Sequence, residues 1–159
     1  MRKIMVILSF LFIYGCQDAP YLKEDSAFVV FKTPTFRYAD MGFIYHSPQN
    51  IKLQIYSNGQ SVMTLKVSTD SVCMSAFACM SKDEFNQKVL HDSYPTDILS
   101  DILRFQPIFG KKNIKYTQTG FNQKIKKQNL YNIKYKVSKK RVEFRDDLNH
   151  IIIKIIKDI

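Results

Sequence analysis

The feature that most constrains the fold is a pair of alternating segments on either side of an Asn-Gly dipeptide. Apolar side chains occupy every second position in residues 51–56 and again in residues 62–67, and Asn58-Gly59 lies between the two segments. Alternation places the apolar side chains on one face of a strand. Asn-Gly favours a type I′ turn, because both central residues of that turn need positive φ. The sequence therefore predicts a β-hairpin over residues 51–67.

Strand signals also dominate the rest of the chain. The twelve Phe and nine Tyr, with many Ile and Val residues, favour strands. Asp40-Met41-Gly42 has the composition of a turn, so two separate strands are expected around it. The final apolar segment is expected to be buried on both faces. The predicted strands are residues 28–31, 35–39, 42–46, 70–74, 131–137, 142–144 and 151–156.

Two short helices are predicted in the middle of the chain. Ser81 with Glu84 three residues later forms a capping box, which predicts a helix over residues 82–90. Tyr94-Pro95 begins a second helix, since Pro is tolerated in the first turn. The expected fold is mainly β with two short helices, an α+β class. In it, a curved antiparallel sheet or half-barrel is covered by the helices.

The first sixteen residues have the layout of an export signal. Arg2 and Lys3 precede an apolar run over residues 4–14, which is too short for the ~20 residues that a membrane-spanning helix needs. The run ends in the sequence IYGC, which resembles the lipobox of bacterial lipoproteins. In that family the cysteine, here Cys16, receives a diacylglycerol and becomes the first residue of the mature chain. The alternatives are a plain signal peptide or a cysteine of the core.

The lipobox resemblance implies a division of the chain and a location. Residues 1–15 are the signal peptide, residues 16–27 the lipidated N-terminus and tether, and residues 28–159 a single β-rich domain. Gln17, rather than Asp, follows the cysteine. In enteric lipoproteins this implies sorting to the outer membrane, so a periplasm-facing protein is expected. Several acyl chains on Cys16 would anchor the protein stably, so the membrane itself is an expected partner.

Positive charge is concentrated in one part of the chain. Residues 111–145 contain twelve Lys or Arg and one acid, although the whole chain carries a formal charge of +10. Such a region attracts lipid phosphates, lipopolysaccharide or acidic protein surfaces. Nucleic acid is not an expected partner of an exported protein. The lysines alternatively keep sheet edges soluble. The candidate basic face consists of Lys124, Lys126, Lys127, Lys134 and Lys136.

The remaining cysteines indicate a disulfide rather than a catalytic or metal site. With Cys16 assigned to lipid, Cys73 and Cys79 form an even pair in an oxidising compartment, which predicts a bond between them. The histidines lack a ligand spacing suited to zinc, and a reactive cysteine is the remaining alternative. No motif for a nucleophile, a phosphate-binding loop or a metal cluster is present. We therefore expect no enzymatic activity, no cofactor and no metal.

The order of strands, helices and strands behind a lipobox resembles the bacterial lipoprotein-sorting proteins LolA and LolB, and the membrane-anchored LolB most. The similar parts are the hairpin at residues 51–67, the helical pair with a Pro at residues 85–107, Gly120-Phe121, and the closing strand pair at residues 137–156. In that family a half-barrel closed by helices takes up the acyl chains of lipoproteins in transit. Its acceptor also carries an exposed apolar loop residue, which residues 57–61 lack.

The resemblance implies a cavity and its partners. The candidate apolar cavity consists of Leu53, Ile55, Met63, Leu65 and Val67, although the same alternation is also typical of a filled core. Acyl chains of other lipoproteins, or a periplasmic carrier, would be the partners. The expected function is thus an outer-membrane lipoprotein that binds acyl chains or accepts lipoproteins. The alternative is an accessory lipoprotein of an envelope assembly that docks through its basic face.

Overall fold

The computed structural model describes residues 21–74 and 78–157. The predicted signal peptide and Cys16 lie outside these ranges. Within them the helices are α1 (Lys82–Val89) and α2 (Ile98–Leu103), and a single 3-10 turn covers Phe109–Lys111. The strands are β1 (Lys23–Lys32), β2 (Arg37–His46), β3 (Ile51–Ser57), β4 (Gln60–Val67), β5 (Ser71–Cys73), β6 (Cys79–Ser81), β7 (Ile114–Tyr116), β8 (Gly120–Lys127), β9 (Tyr131–Ser138), β10 (Arg141–Asp146) and β11 (Ile151–Lys157).

The described strands form one antiparallel sheet in the order β6-β5-β4-β3-β2-β1-β11-β10-β9-β8-β7. Every neighbouring pair is consecutive in sequence except β1 and β11. Their register runs from Ala27 opposite Lys157 to Lys32 opposite Ile152, so the first and last strands meet in the middle of the sheet. The sheet is not closed. Its edges are β6 and β7, and both helices lie in the connection between these two strands.

Alternation along the strands divides the sheet into two faces. On β3, Ile51, Leu53 and Ile55 are fully buried, whereas the residues between them are half-buried. We call the face with the buried side chains the inner face and the opposite face the outer face. The predicted hairpin is confirmed: β3 pairs with β4, and Asn58 (φ 51°) and Gly59 (φ 78°) form the turn.

The expected α+β class, with helices that cover the sheet, is wrong. Strands account for 54% of the structure and helices for 13%, so the protein is mostly β. The helices have eight and six residues, and α1 lies beside the edge strand β6 and its neighbour β5. The capping box does form, since Ser81 Oγ accepts a hydrogen bond from the Glu84 N–H at 3.1 Å. A local capping signal therefore predicts where a helix begins, but it does not predict how much of a sheet the helix covers.

Three side-chain contacts fasten the non-helical part of the connection to the sheet. Tyr94 Oη donates a hydrogen bond to Asp146 at the end of β10, and the Tyr135 hydroxyl of β9 donates to the Gln106 carbonyl. Gln123 of β8 makes hydrogen bonds to Ile108 and to a second backbone carbonyl. Irregular chain therefore contacts the inner face at these strands, in addition to the buried side chains of the helices.

Several predicted boundaries also differ in the structure. The turn expected at Asp40-Met41-Gly42 does not form, because β2 continues through it and pairs with β1 and β3. Gly42 is needed there for close approach, since a Cβ would lie 2.2 Å from the Gln54 carbonyl oxygen of β3. The predicted tether is shorter than residues 16–27, because β1 begins at Lys23.

The last strand also differs from its prediction. On β11 the inner residues Ile151, Ile153 and Ile155 are fully buried, but Ile152 and Ile156 on the outer face are only half-buried. The strand is therefore packed on one face, although it lies in the centre of the sheet. No helix in the described ranges is both long enough and apolar enough to span a bilayer.

Candidate functional site

The residues predicted to line an apolar cavity lie in the core. All five project from the inner faces of β3 and β4, none is more than 6% exposed, and all belong to one continuous cluster of buried apolar residues. The same cluster includes Phe85 of α1 and Ile102 of α2. Binding of an acyl chain at this position would require the core to open. Acyl-chain uptake thus stays a prediction.

The lysines of the candidate basic face are exposed, and the sheet brings four of them together. Ile125 of β8 and Ile133 of β9 are buried on the inner face, so alternation places the neighbouring lysines on the outer face. Lys124 lies directly opposite Lys134 in the register. Lys127 ends β8 opposite the inward-facing Tyr131, and thus does not belong to this group. The four lysines on the outer face are Lys124, Lys126, Lys134 and Lys136.

A groove on the outer side of β7, β8 and β9 is lined by three of these four lysines, all except Lys126. Its volume is about 730 Å³, and four lysines line it together with asparagine side chains. Lys115 of β7 contributes from the edge strand, and Asn122 of β8 lies opposite both Lys115 and Lys136. The lysines that line the groove are Lys115, Lys124, Lys134 and Lys136. We call this depression the lysine groove.

Acidic side chains neutralise only one side of the lysine groove. Asp147 accepts hydrogen bonds from Lys134 Nζ at 2.8 Å and from Arg145 Nε at 2.6 Å. These two contacts, that to Lys134 first, lower the pKa of the Asp147 carboxyl from its usual 3.8. In the part of the chain that the structure describes, Lys115, Lys124 and Lys136 make no ion pair. Glu143 lies opposite Lys136 in the register, but it is paired with Arg141 at 2.6 Å. The groove thus presents three cations outside ion pairs, which suit an anion.

Sequence reasoning missed two contributors to this charge. Lys115 is on an edge strand of three residues that the sequence did not predict. Arg145 lies opposite Lys134 in the register between β9 and β10, so three cations (Lys124, Lys134 and Arg145) form a row across adjacent strands. Both residues are in the lysine-rich segment of the sequence. However, only the strand register shows which cations of that segment are neighbours.

The two cysteines of the predicted pair are bonded to each other. Cys73 of β5 and Cys79 of β6 are directly opposite in the register, with their Cα atoms 3.9 Å apart. The bond therefore joins the last two strands at one edge of the sheet. Across the described ranges, no group of three or more His, Cys, Asp or Glu side chains is arranged to hold a metal ion.

A histidine outside the groove has a strongly lowered pKa. His46 at the end of β2 has its Nε2 atom 3.6 Å from Asp25 Oδ2. Burial, together with the positive charge of Lys157, lowers the pKa of His46 to about 4 despite the carboxylate. The imidazole is therefore neutral at physiological pH. Asp25 is itself bonded to Lys157 at 2.8 Å, so this cluster is an internal ion pair rather than an open site.

No protein-family model matches the chain, and no curated protein matches it in sequence.

Proposed function

We propose that the chain is a non-enzymatic accessory protein of a bacterial envelope, attached to the outer membrane through a lipid on Cys16 and facing the periplasm. In this proposal the lysine groove binds an anionic group of a partner in the envelope. The observation that carries the proposal is the set of cations in the groove that make no ion pair within the described residues.

Charge and geometry favour an anion with several closely spaced groups. Lys124 and Lys134 are opposite each other on adjacent strands, where side chains are about 5 Å apart at their Cβ atoms. Like charges at this distance repel each other, and a bound phosphate or carboxylate relieves that repulsion. The exposure of the side chains allows such a ligand to approach directly from solvent.

The test measures the binding of inorganic polyphosphate to the full chain in detergent micelles at several salt concentrations. The double variant Lys124→Gln/Lys136→Gln removes two of these cations. We expect weaker binding and a decrease of roughly 1.5 in the slope of log K against log salt, because each phosphate that a cation neutralises contributes about 0.7–0.9 to that slope.

A second double variant controls for net charge. Lys23→Gln/Lys88→Gln removes the same charge at side chains that are 64% and 61% exposed and lie outside the groove. Loss of their surface ion pairs is expected to have little effect. Equal weakening by both double variants would show that polyphosphate responds to overall charge alone, and the assignment of the groove would then be wrong.

A further inference from the structure

Aromatic rings form a cluster on the outer face of β2 and β3, away from the lysine groove. The Phe43 ring lies 5.7 Å from the Tyr56 ring and 6.3 Å from the Tyr45 ring, between centroids. Tyr21, at the start of the described chain, adds its ring 5.8 Å from Tyr45. All four residues are half-buried, so each ring has a surface open to solvent. We call these four residues the aromatic face.

A lysine completes the amphipathic character of the aromatic face. Lys52 of β3 lies opposite Tyr45, and its Nζ atom is 3.9 Å from the Tyr45 ring centroid and 5.2 Å from that of Tyr21. The cluster thus combines apolar ring surface, phenolic hydroxyls and a cation, with the carboxylate of Glu24 of β1 opposite Tyr45 at its border. Tyrosine and lysine side chains with this combination are favoured at the boundary between lipid and water.

The apolar surface continues onto the centre of the sheet. Met41 of β2 is 41% exposed and lies opposite Phe28 of β1, which in turn lies opposite Ile156 of β11. Phe28 and Ile156 are half-buried on the outer face. Leu22, next to the aromatic face in sequence, is 74% exposed. Exposed apolar surface that extends over several elements marks an interaction site.

The position of the proposed lipid identifies what this surface contacts. Cys16 is five residues before Tyr21, and five residues span at most about 17 Å when fully extended. The backbone of the next residue, Leu22, is held to β2 by a hydrogen bond from its N–H to the His46 carbonyl at 2.8 Å. Tyr21, at one end of the aromatic face, is therefore within about 17 Å of the lipidated residue in any arrangement of the chain.

We propose that the aromatic face lies on the bilayer interface, with its rings at the level of the lipid headgroups and Lys52 directed toward their phosphates. This inference rests on the lipid anchor of the proposed function. The lysine groove lies on the same outer face of the sheet, four or more strands away. The inference therefore predicts that the groove stays clear of the bilayer and open to a partner.

The absence of tryptophan from the sequence allows a direct test. Phe43→Trp places a single fluorophore on the aromatic face, and Asn122→Trp places one on the outer face of β8, in the lining of the lysine groove. The acylated full chain of each variant is reconstituted into vesicles of phosphatidylethanolamine and phosphatidylglycerol. Emission is compared between vesicles with ordinary acyl chains and vesicles with brominated acyl chains, since bromine quenches nearby tryptophan.

We expect blue-shifted emission and strong quenching by brominated lipid for Phe43→Trp, and no quenching for Asn122→Trp. Quenching of Asn122→Trp instead would mean that the lysine groove rests on the bilayer, which overturns the inference. Blue-shifted emission of Phe43→Trp without quenching would mean that protein, such as a second copy of the chain, covers the aromatic face, and this result overturns it as well.

Flotation of the vesicles separates the two possible failures. A chain that does not float with the vesicles has no anchor, and this result overturns both the proposed function and the inference that depends on it. A chain that floats but shows no quenching of Phe43→Trp overturns the orientation alone, and leaves the anchor and the lysine groove in place.

Discussion

A buried glutamine carries much of the attachment between the central connection and the sheet. Gln123 projects from the inner face of β8 and is 1% exposed. Its Oε1 atom accepts a hydrogen bond from the Ile108 N–H at 2.9 Å, while Nε2 donates to the Ile108 carbonyl at 2.9 Å and to the Lys112 carbonyl at 2.8 Å. One side chain thus satisfies both backbone groups of Ile108, a residue with no exposed surface.

The substitution Gln123→Leu keeps the approximate volume and removes all three hydrogen bonds. The buried Ile108 N–H then loses its partner, at about 1–3 kcal/mol. The Ile108 and Lys112 carbonyls lose one hydrogen bond each, at about 0.5–1.5 kcal/mol, although the Ile108 carbonyl keeps the one from the Lys111 N–H at 3.1 Å. The apolar gain from a buried leucine offsets about 1–2 kcal/mol of this loss. We therefore expect the free energy of unfolding to fall by roughly 2–3 kcal/mol.

Urea denaturation followed by circular dichroism measures this change. Gln54→Leu is the matched control, because Gln54 lies on the outer face of β3 and its side-chain hydrogen bonds are long, at 3.5 Å. The control is expected to change the free energy of unfolding by less than about 0.5 kcal/mol. A Gln123→Leu variant as stable as the control would show that the hydrogen bonds of Gln123 add no net stability, and would refute the reasoning.

Two further predictions concern a buried carboxylate and the disulfide. Burial opposes ionisation of Asp146, but hydrogen bonds, first from Tyr94, outweigh it and hold its pKa below the usual 3.8. The ionised Asp146 carboxylate therefore stabilises the fold above pH 3.8, and this stabilisation is lost as the pH falls through the lower folded-state pKa. Asp146→Asn should therefore make the free energy of unfolding, measured by urea titration at each pH, fall less steeply at acid pH. An unchanged loss of stability at acid pH in the variant would show that other groups cause the acid sensitivity. Reduction of the Cys73–Cys79 bond should lower the free energy of unfolding by about 2 kcal/mol, because the closed loop is short. The double variant Cys73→Ser/Cys79→Ser should not respond to reductant, and labelling of both cysteines by an alkylating agent without reductant would contradict the bond.

Local features of the fold were predictable because their causes are local. The Asn58-Gly59 turn depends on the positive φ of two adjacent residues, and the start of α1 depends on Ser81 and Glu84, which are three residues apart. The alternation that places Leu53 on the inner face is likewise a property of a single strand. Each of these signals acts within one element, so the sequence order alone is enough to predict it.

The continuity of β2 was not predictable in the same way. Asp40-Met41-Gly42 has the composition of a turn, yet the neighbouring strands β1 and β3 supply hydrogen-bonding partners that keep it extended. Gly42 is small because the backbone of β3 comes close, which is a property of the partner strand. Local propensity therefore predicted a break where tertiary pairing favoured a continuous strand.

The candidate site likewise has some features that the sequence predicts and others that depend on tertiary structure. The sequence alone determined that positive charge is concentrated in one segment, that the chain has strongly alternating strands, and that Cys73 and Cys79 form a pair. Only the tertiary structure decided that β1 pairs with β11, which cations are neighbours, and that the inner face is a packed core. The reason is that strand register and the choice of partner depend on burying all the inner faces at once, and residues more than one hundred positions apart contribute to that burial.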